Sequence, residues 1–264
     1  MIKKSILFLI AISFLTSCKK DSSEVYTQAA KDAVLGERLI VDILQQISYT
    51  CPPFIANEED SVVNGIHLSI YPAFSDSTYP KTITIDYGNG ITGILGKMRK
   101  GKIIVTINSN ILATEDLAVS FNNYSSDGSE VWGDINYMYN ISNKGYNGEL
   151  LEDGISIINA NGTMKLNGTF SFEKTSTSGT TILTDDSFYF QCTTTGIDFE
   201  QTSFSYNSSS EHLIEFSCKD YITSGTSVLI PHKKEAQTVN FGNGNCDANV
   251  VIELKDGSLK NFTF

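Results

Sequence analysis

The sequence predicts an all-β fold of antiparallel strands preceded by one N-terminal amphipathic helix, and three observations carry that prediction. Helical periodicity is confined to one stretch before Cys51-Pro52-Pro53. Beyond it, short alternating runs are separated by Asn-Gly, Asp-Gly and Ser-Gly turns, with serine, threonine and asparagine filling the outward positions. The runs follow one another too closely for parallel crossovers, which need a dozen or more residues each. Periodicity leaves sandwich, curved sheet and open barrel as the alternative arrangements.

The chain opens with Lys3 and Lys4, an apolar run Ile6 to Ile12, and small residues ending at Cys18. This is the pattern of a secretory signal peptide over residues 1–17, too short to span a membrane as a mature helix. Leu15-Thr16-Ser17-Cys18 resembles the lipobox of bacterial lipoproteins, so Cys18 is expected to carry the lipid that holds the chain to a membrane. Residues 18–24 then form a charged tether, Lys19-Lys20-Asp21-Ser22-Ser23-Glu24. Lysine rather than aspartate follows the lipidated cysteine, which points to the outer membrane, and the tract resembles the surface-export signals of Bacteroidota lipoproteins.

From Ser22 to about Ser48, Ala30, Ala33, Val34, Ile40, Val41, Leu44 and Ile47 recur at spacings of three, four and seven. The pattern predicts one helix over residues 25–48, weakened at Gly36, with Asp21, Ser22 or Ser23 as the N-cap. Its polar face mixes charges, so packing on a sheet is expected rather than lying on a membrane.

Residues 49–264 read as an antiparallel β domain or two related halves. Candidate strands are Gly65–Tyr71, Lys81–Tyr87, Lys102–Asn108, Leu117–Tyr124, Val131–Ile141, Gly154–Asn159, Gly162–Asn167, Thr169–Lys174, Ser187–Thr193, Thr202–Tyr206, Leu213–Lys219, Thr226–Ile230, Gln237–Phe241, Asn249–Leu254 and Leu259–Phe264. Between the second and third of these, Gly88-Asn89-Gly90-Ile91-Thr92-Gly93 spells the dinucleotide fingerprint G-x-G-x-x-G. The preceding strand alternates instead of running apolar, and Gly93, Gly96 and Gly101 interrupt the place where a helix should open. Thr238-Val239-Asn240-Phe241-Gly242-Asn243-Gly244 repeats Thr84 to Gly90 position for position without the third glycine. Both copies share what a tight turn needs, and no cofactor is expected.

Removing Lys3 and Lys4 from the 19 basic residues leaves 17 against 30 acidic, a net charge of −13. Nucleic acid and anionic lipid headgroups are therefore poor partners. His67, His212 and His232 fall in no metal-ligand spacing, so no metal site is expected. No G-x-S-x-G elbow occurs, and turn chemistry explains aspartates such as Asp127 and Asp153. Of the aromatic residues, Trp132, Tyr137, Tyr139 and Tyr146 cluster, and Trp132, Tyr137 and Tyr139 could stack on a sugar ring; Tyr137 and Tyr139 at period two also fit one face of a core strand. Asp60-Ser61-Val62 and Asp76-Ser77-Thr78 resemble the sites at which exported Bacteroidota proteins receive O-linked glycans, on Ser61 and Ser77. Cys51, Cys192, Cys218 and Cys246 are an even set in an exported chain and allow three disulfide pairings.

Three segments carry a family resemblance. Tyr79-Pro80-Lys81-Thr82-Ile83-Thr84-Ile85-Asp86-Tyr87-Gly88, Arg99-Lys100-Gly101-Lys102-Ile103 and Phe241-Gly242-Asn243-Gly244-Asn245-Cys246-Asp247 resemble landmarks of a family of Bacteroidota exported lipoproteins. The resemblance implies an exported β-rich lipoprotein and brings no activity, cofactor or catalytic residue. Members often carry a cysteine after the first turn, where this chain reads Gly90-Ile91-Thr92-Gly93, so Cys51 needs another partner or stays reduced. Beside that resemblance, Cys218 and Cys246 lie next to adjacent predicted strands and are expected to pair, at about 3–4 kcal/mol in the chain-entropy model. Cys51 with Cys192 follows only by elimination.

The expected function is that of a lipid-anchored outer-membrane or cell-surface lipoprotein serving as a non-enzymatic binding or structural module, with a glycan or a protein as the ligand of the binding reading. A carboxylate-dependent hydrolase of the envelope and a hydrophobic-ligand carrier are the alternatives, since carboxylate pairs are assembled in space rather than in sequence.

Overall fold

The computed structural model describes residues 26–50, 60–93, 96–108, 114–140, 145–175, 185–219 and 222–264. The expected leader and tether, with Cys18, and also Cys51 lie outside the described residues. Among the described residues the fold is one α-helix, α1 (Gln28–Thr50), and one antiparallel 17-stranded sheet. The strands are β1 (Asp60–Val63), β2 (Ile66–Tyr71), β3 (Lys81–Asp86), β4 (Ile91–Thr92), β5 (Met98–Ile107), β6 (Thr114–Ser126), β7 (Ser129–Trp132), β8 (Asp134–Asn140) and β9 (Gly145–Asn159). They continue with β10 (Gly162–Lys174), β11 (Ser187–Ile197), β12 (Ser203–Ser208), β13 (His212–Glu215), β14 (Ile222–Pro231), β15 (Gln237–Asn243), β16 (Asn249–Leu254) and β17 (Leu259–Thr263).

Neighbouring strands follow chain order as a meander. β3 pairs with β2 and β5, and β4 pairs with β5 beyond the end of β3. β7 and β8 lie end to end between β6 and β9, as β12 and β13 do between β11 and β14. Among the described residues β1 pairs only with β2 and β17 only with β16, so the arrangement is a single open curved sheet.

Alternation fixes which face turns inward. Ile83 and Ile85, Ile103 and Val105, Ile155 and Ile157, Val239 and Ile252 are all buried, at about 1.5–3 kcal/mol for each such side chain removed from water. The sheet curls around α1 far more completely than an amphipathic helix on a sheet face would require. Every described side chain from Leu39 to Ser48 is buried, and Lys31 alone between Gln28 and Ser48 is exposed. The wall packs tightly on Gly36, where a Cβ would stand 2.1 Å from Leu166 Cδ1 of β10.

The helix starts later than its periodicity suggests. Tyr26 and Thr27 are not helical, and the Thr27 carbonyl accepts the Lys31 N–H at 3.2 Å, which puts the start at Thr27 rather than at Asp21, Ser22 or Ser23. Tertiary ties hold Tyr26 out of the helix: its hydroxyl donates to Asp198, and its carbonyl accepts from Gln237 Nε2 at 2.5 Å.

Among the described residues no α-helix follows the glycine-rich turn after β3, and the chain goes on into β4 and β5. Gly88 N–H donates to Asp86 Oδ1 at 2.8 Å and Gly242 N–H donates to Asn240 Oδ1 at the same distance, but the two repeats differ beyond that contact: Gly88 lies in a turn after β3, whereas Gly242 and Asn243 continue β15, where Asn243 pairs with Ser224. Cys218 and Cys246 form a disulfide with Cα atoms 5.5 Å apart, tying the β13–β14 and β15–β16 connections together. Cys192 is a free, buried thiol with Ser208 Oγ 3.6 Å from its sulfur; Cys51, the partner expected by elimination, lies outside the described residues.

Candidate functional site

Two regions gather chemistry-bearing side chains: the interior around α1 and the outer wall of the sheet. Inside, α1 carries Asp32, Glu37 and Asp42 at five-residue steps, and at 3.6 residues per turn each step turns about 140°. The three carboxyls therefore point at three different sectors of the surrounding sheet.

Asp42 meets the wall near β5 and β6. Arg99 grips it through Nε at 3.2 Å and Nη2 at 2.5 Å, Ser126 Oγ donates at 2.8 Å, Tyr124 at 3.3 Å, and Lys97 Nζ lies 3.8 Å away. Burial alone would raise this carboxyl, but the charges of Lys97 and Arg99 outweigh it and hold the group down to about 2.

Glu37 accepts from the Tyr206 hydroxyl at 2.6 Å and pairs with His212 Nδ1. His212 Nε2 faces the Thr226 carbonyl at 3.1 Å and Ser227 Oγ at 3.0 Å. Serine, histidine and glutamate thus stand in the order of a nucleophilic triad. The chemistry does not follow. Burial opposes the imidazole's charge, while the Glu37 carboxylate and the Thr226 carbonyl raise its pKa; a carbonyl 3.1 Å from Nε2 calls for a proton on that nitrogen, which leaves it no lone pair for the Ser227 proton. His212 and Ser227 are wholly buried, which leaves no room for a substrate carbonyl. This is a structural ion pair.

Asp32 completes the set. It accepts from Gln28 Nε2 at 2.7 Å and the Phe199 N–H at 2.9 Å, and burial pushes its carboxyl up to about 6 with help from Asp198 and Glu200. Neighbouring Asp198 accepts from the Thr202 N–H at 2.8 Å and from Tyr26. Converging carboxylates of the kind a hydrolase needs are present, but all four oxygens already have donors and both residues are buried. They latch the helix start to the β11–β12 turn.

The outer wall is different. A depression of about 520 Å³ crosses β6 to β12. Register aligns Asp116, Met138, Asn147, Ser171 and Gln191 in one row, and Asn136, Glu149, Thr169 and Thr193 in the next. A second depression, about 620 Å³, crosses β9 to β14, with Asn167, Thr195, Ser205 and Ile230 in one row and Lys165, Ile197 and Ser203 in the other. Both use the same two strands: the pairs Ser171–Gln191, Thr169–Thr193, Asn167–Thr195 and Lys165–Ile197 run consecutively, about 20 Å at strand spacing. The β-bulge between Leu166 and Gly168 bends β10 where they meet. The two depressions adjoin along β10 and β11 and are together called the trough; amides, hydroxyls and carboxylates line it, groups that donate to and accept from a polyhydroxylated ligand.

The aromatic set does not assemble. Trp132 is 49% exposed at the end of β7, beside Ser156 in the row that leads to Lys165. Tyr137 is 2% exposed, its ring edge-on to Phe170 and Tyr146, and half-buried Tyr139 lies on the same inner side against Tyr146. The strand alternation that turns Met138 outward turns both tyrosines in, so neither stacks on an external ligand. Ser77 is exposed, and the Asp76 carboxylate caps Thr78 N–H at 2.8 Å, a turn that explains the local sequence; Ser61 is half-buried in edge strand β1. Among the described residues no group of three or more His, Cys, Asp or Glu is placed to hold a metal ion, and no helix is long and apolar enough to cross a membrane.

The landmark segments have structural work. Lys81 is buried with its Nζ donating to the carbonyls of Ala73 and Asp76, each at 2.6 Å; Arg99 grips Asp42; Phe241 packs 4.9 Å from the His212 ring; Cys246 closes the disulfide. No family model, curated protein or solved structure matches the chain.

Proposed function

We propose that this chain is a lipid-anchored envelope protein of the Bacteroidota type that binds a glycan in the outer trough and is not an enzyme. The lipobox-like Leu15-Thr16-Ser17-Cys18 and the three landmark segments support the anchor and the family; the trough supports the binding. The single observation that carries the reading is the pair of rows of Asn136, Asn147, Thr169, Gln191 and Thr193 with Asp116 and Glu149, polar side chains aligned across strands on an outward face. A hydrophobic-ligand carrier would need an empty interior where α1 lies. Calorimetric titration with neutral oligosaccharides tests the reading: binding should weaken in Asn147→Ala and Gln191→Ala, and absence of binding across a broad panel refutes it. Asp116 and Glu149 line the same depression, so release of new reducing ends during the titration would favour the hydrolase alternative. Replacement of Cys18 by serine should move the protein from the membrane fraction to the soluble one.

A further inference from the structure

We propose that the β14 end of the trough selects saccharides that carry carboxylate groups, an inference that rests on the trough being a saccharide site. The chain is acidic, with 30 acidic against 19 basic residues, yet Lys165, His232, Lys233 and Lys234 gather at the second depression. One carboxylate, Asp153, also lines it. Lys165 and Lys233 make no ion pair among the described residues, and Lys234 Nζ sits 5.3 Å from the Tyr26 ring.

The backbone that presents these basic side chains is ordered by hydrogen bonds. The β14–β15 turn that presents them is fixed by His232 N–H donating to Ser203 O at 2.7 Å and Lys234 N–H to Pro231 O at 3.1 Å, with Lys233 at φ +56°. Lys165 stands on β10, separated from this turn by β11 and β12, a span of about 14 Å at the usual strand separation. Between them lie two outward isoleucines, Ile197 and Ile230, set among Thr195, Ser203 and Ser205. Apolar spots among hydroxyls suit the faces and rims of sugar rings, and cations at either end suit carboxylates one or two rings apart. The acidic remainder of the surface repels polyanions, so attraction at this place is local recognition and not a general charge effect.

The test titrates the folded chain with uronic acid oligosaccharides (galacturonate, glucuronate and mannuronate trimers), each beside its carboxyl-reduced neutral form. The acidic member of at least one pair should bind about tenfold or more tightly than the neutral one, the scale of one charge-assisted hydrogen bond. That advantage, read as the ratio of acidic to neutral affinity within one protein, should be lost in the double variant Lys165→Gln/Lys233→Gln. Equal affinity of both members, or a preference that the double variant leaves intact, overturns the selectivity while the trough remains a saccharide site. Binding of neither member in any pair overturns the trough reading and the selectivity together.

Discussion

Replacing Asp42 by alanine is the sharpest test of how the sheet is fastened to its helix. The substitution removes the acceptor of Arg99, Ser126 and Tyr124 and the countercharge of Lys97, leaving two cations in a site where Asp42 is 0% and Arg99 2% exposed. Breaking a buried pair by removing one partner costs about 3–5 kcal/mol, a large share of the 5–15 kcal/mol that holds an ordinary domain together. Urea unfolding followed by circular dichroism, with the disulfide intact, should show a midpoint about 1–2 M lower at an unchanged slope. Combining Asp42→Leu with Arg99→Met removes both members of the grip and should recover much of the loss. The native carboxyl lies below its unfolded value of 3.8, so its contribution is present above that pH and is lost as pH falls through about 2. A single variant that loses less than about 1 kcal/mol, or a double variant worse than the sum of its singles, would refute the pinning argument.

Other expectations are independent of that pin. His212 is raised above 6.5 by Glu37, so the stability it adds is complete below pH 6.5 and lost as pH rises through the raised value; the urea midpoint difference between the native chain and His212→Gln should shrink on that climb. Gly148→Ala would put a Cβ 1.9 Å from the Phe170 ring and should lower the melting temperature, with Phe170→Leu in the same chain restoring part of it. Cys192 should resist thiol reagents in the native state, because burial raises its pKa well above the ordinary thiol range, and react on unfolding. The Tyr137 hydroxyl is buried without a hydrogen-bond partner among the described residues, so Tyr137→Phe should leave thermal stability unchanged or raise it slightly.

Local chemistry made the strand class legible. Lys81–Asp86 and Asn249–Leu254 alternate cleanly because one face is buried, and both are strands. Tertiary contacts decided the rest. Val131–Ile141 breaks into β7 and β8 at Gly133, which has φ +109° and whose Cβ would stand 2.5 Å from Gly154 O. The expected strand Leu213–Lys219 keeps only His212–Glu215, since the disulfide at Cys218 belongs to a turn. The expected strands Gly162–Asn167 and Thr169–Lys174 are one strand, continuous through a bulge. The five-residue spacing of Asp32, Glu37 and Asp42 was visible, but their partners come from distant strands and only the fold brings them near. The trough was hidden for a related reason: Asn136, Asn147 and Gln191 join in it through cross-strand register, which no single segment encodes.

The measurement that reaches the central claim most directly is amide chemical-shift mapping of the folded chain during titration with a bound oligosaccharide. Shifts should be confined to the outward rows around Asn136, Asn147, Thr169, Gln191 and Thr195, with Glu37, His212 and Ser227 unmoved. Shifts centred on those interior residues, or on the open edges β1 and β17, would contradict it.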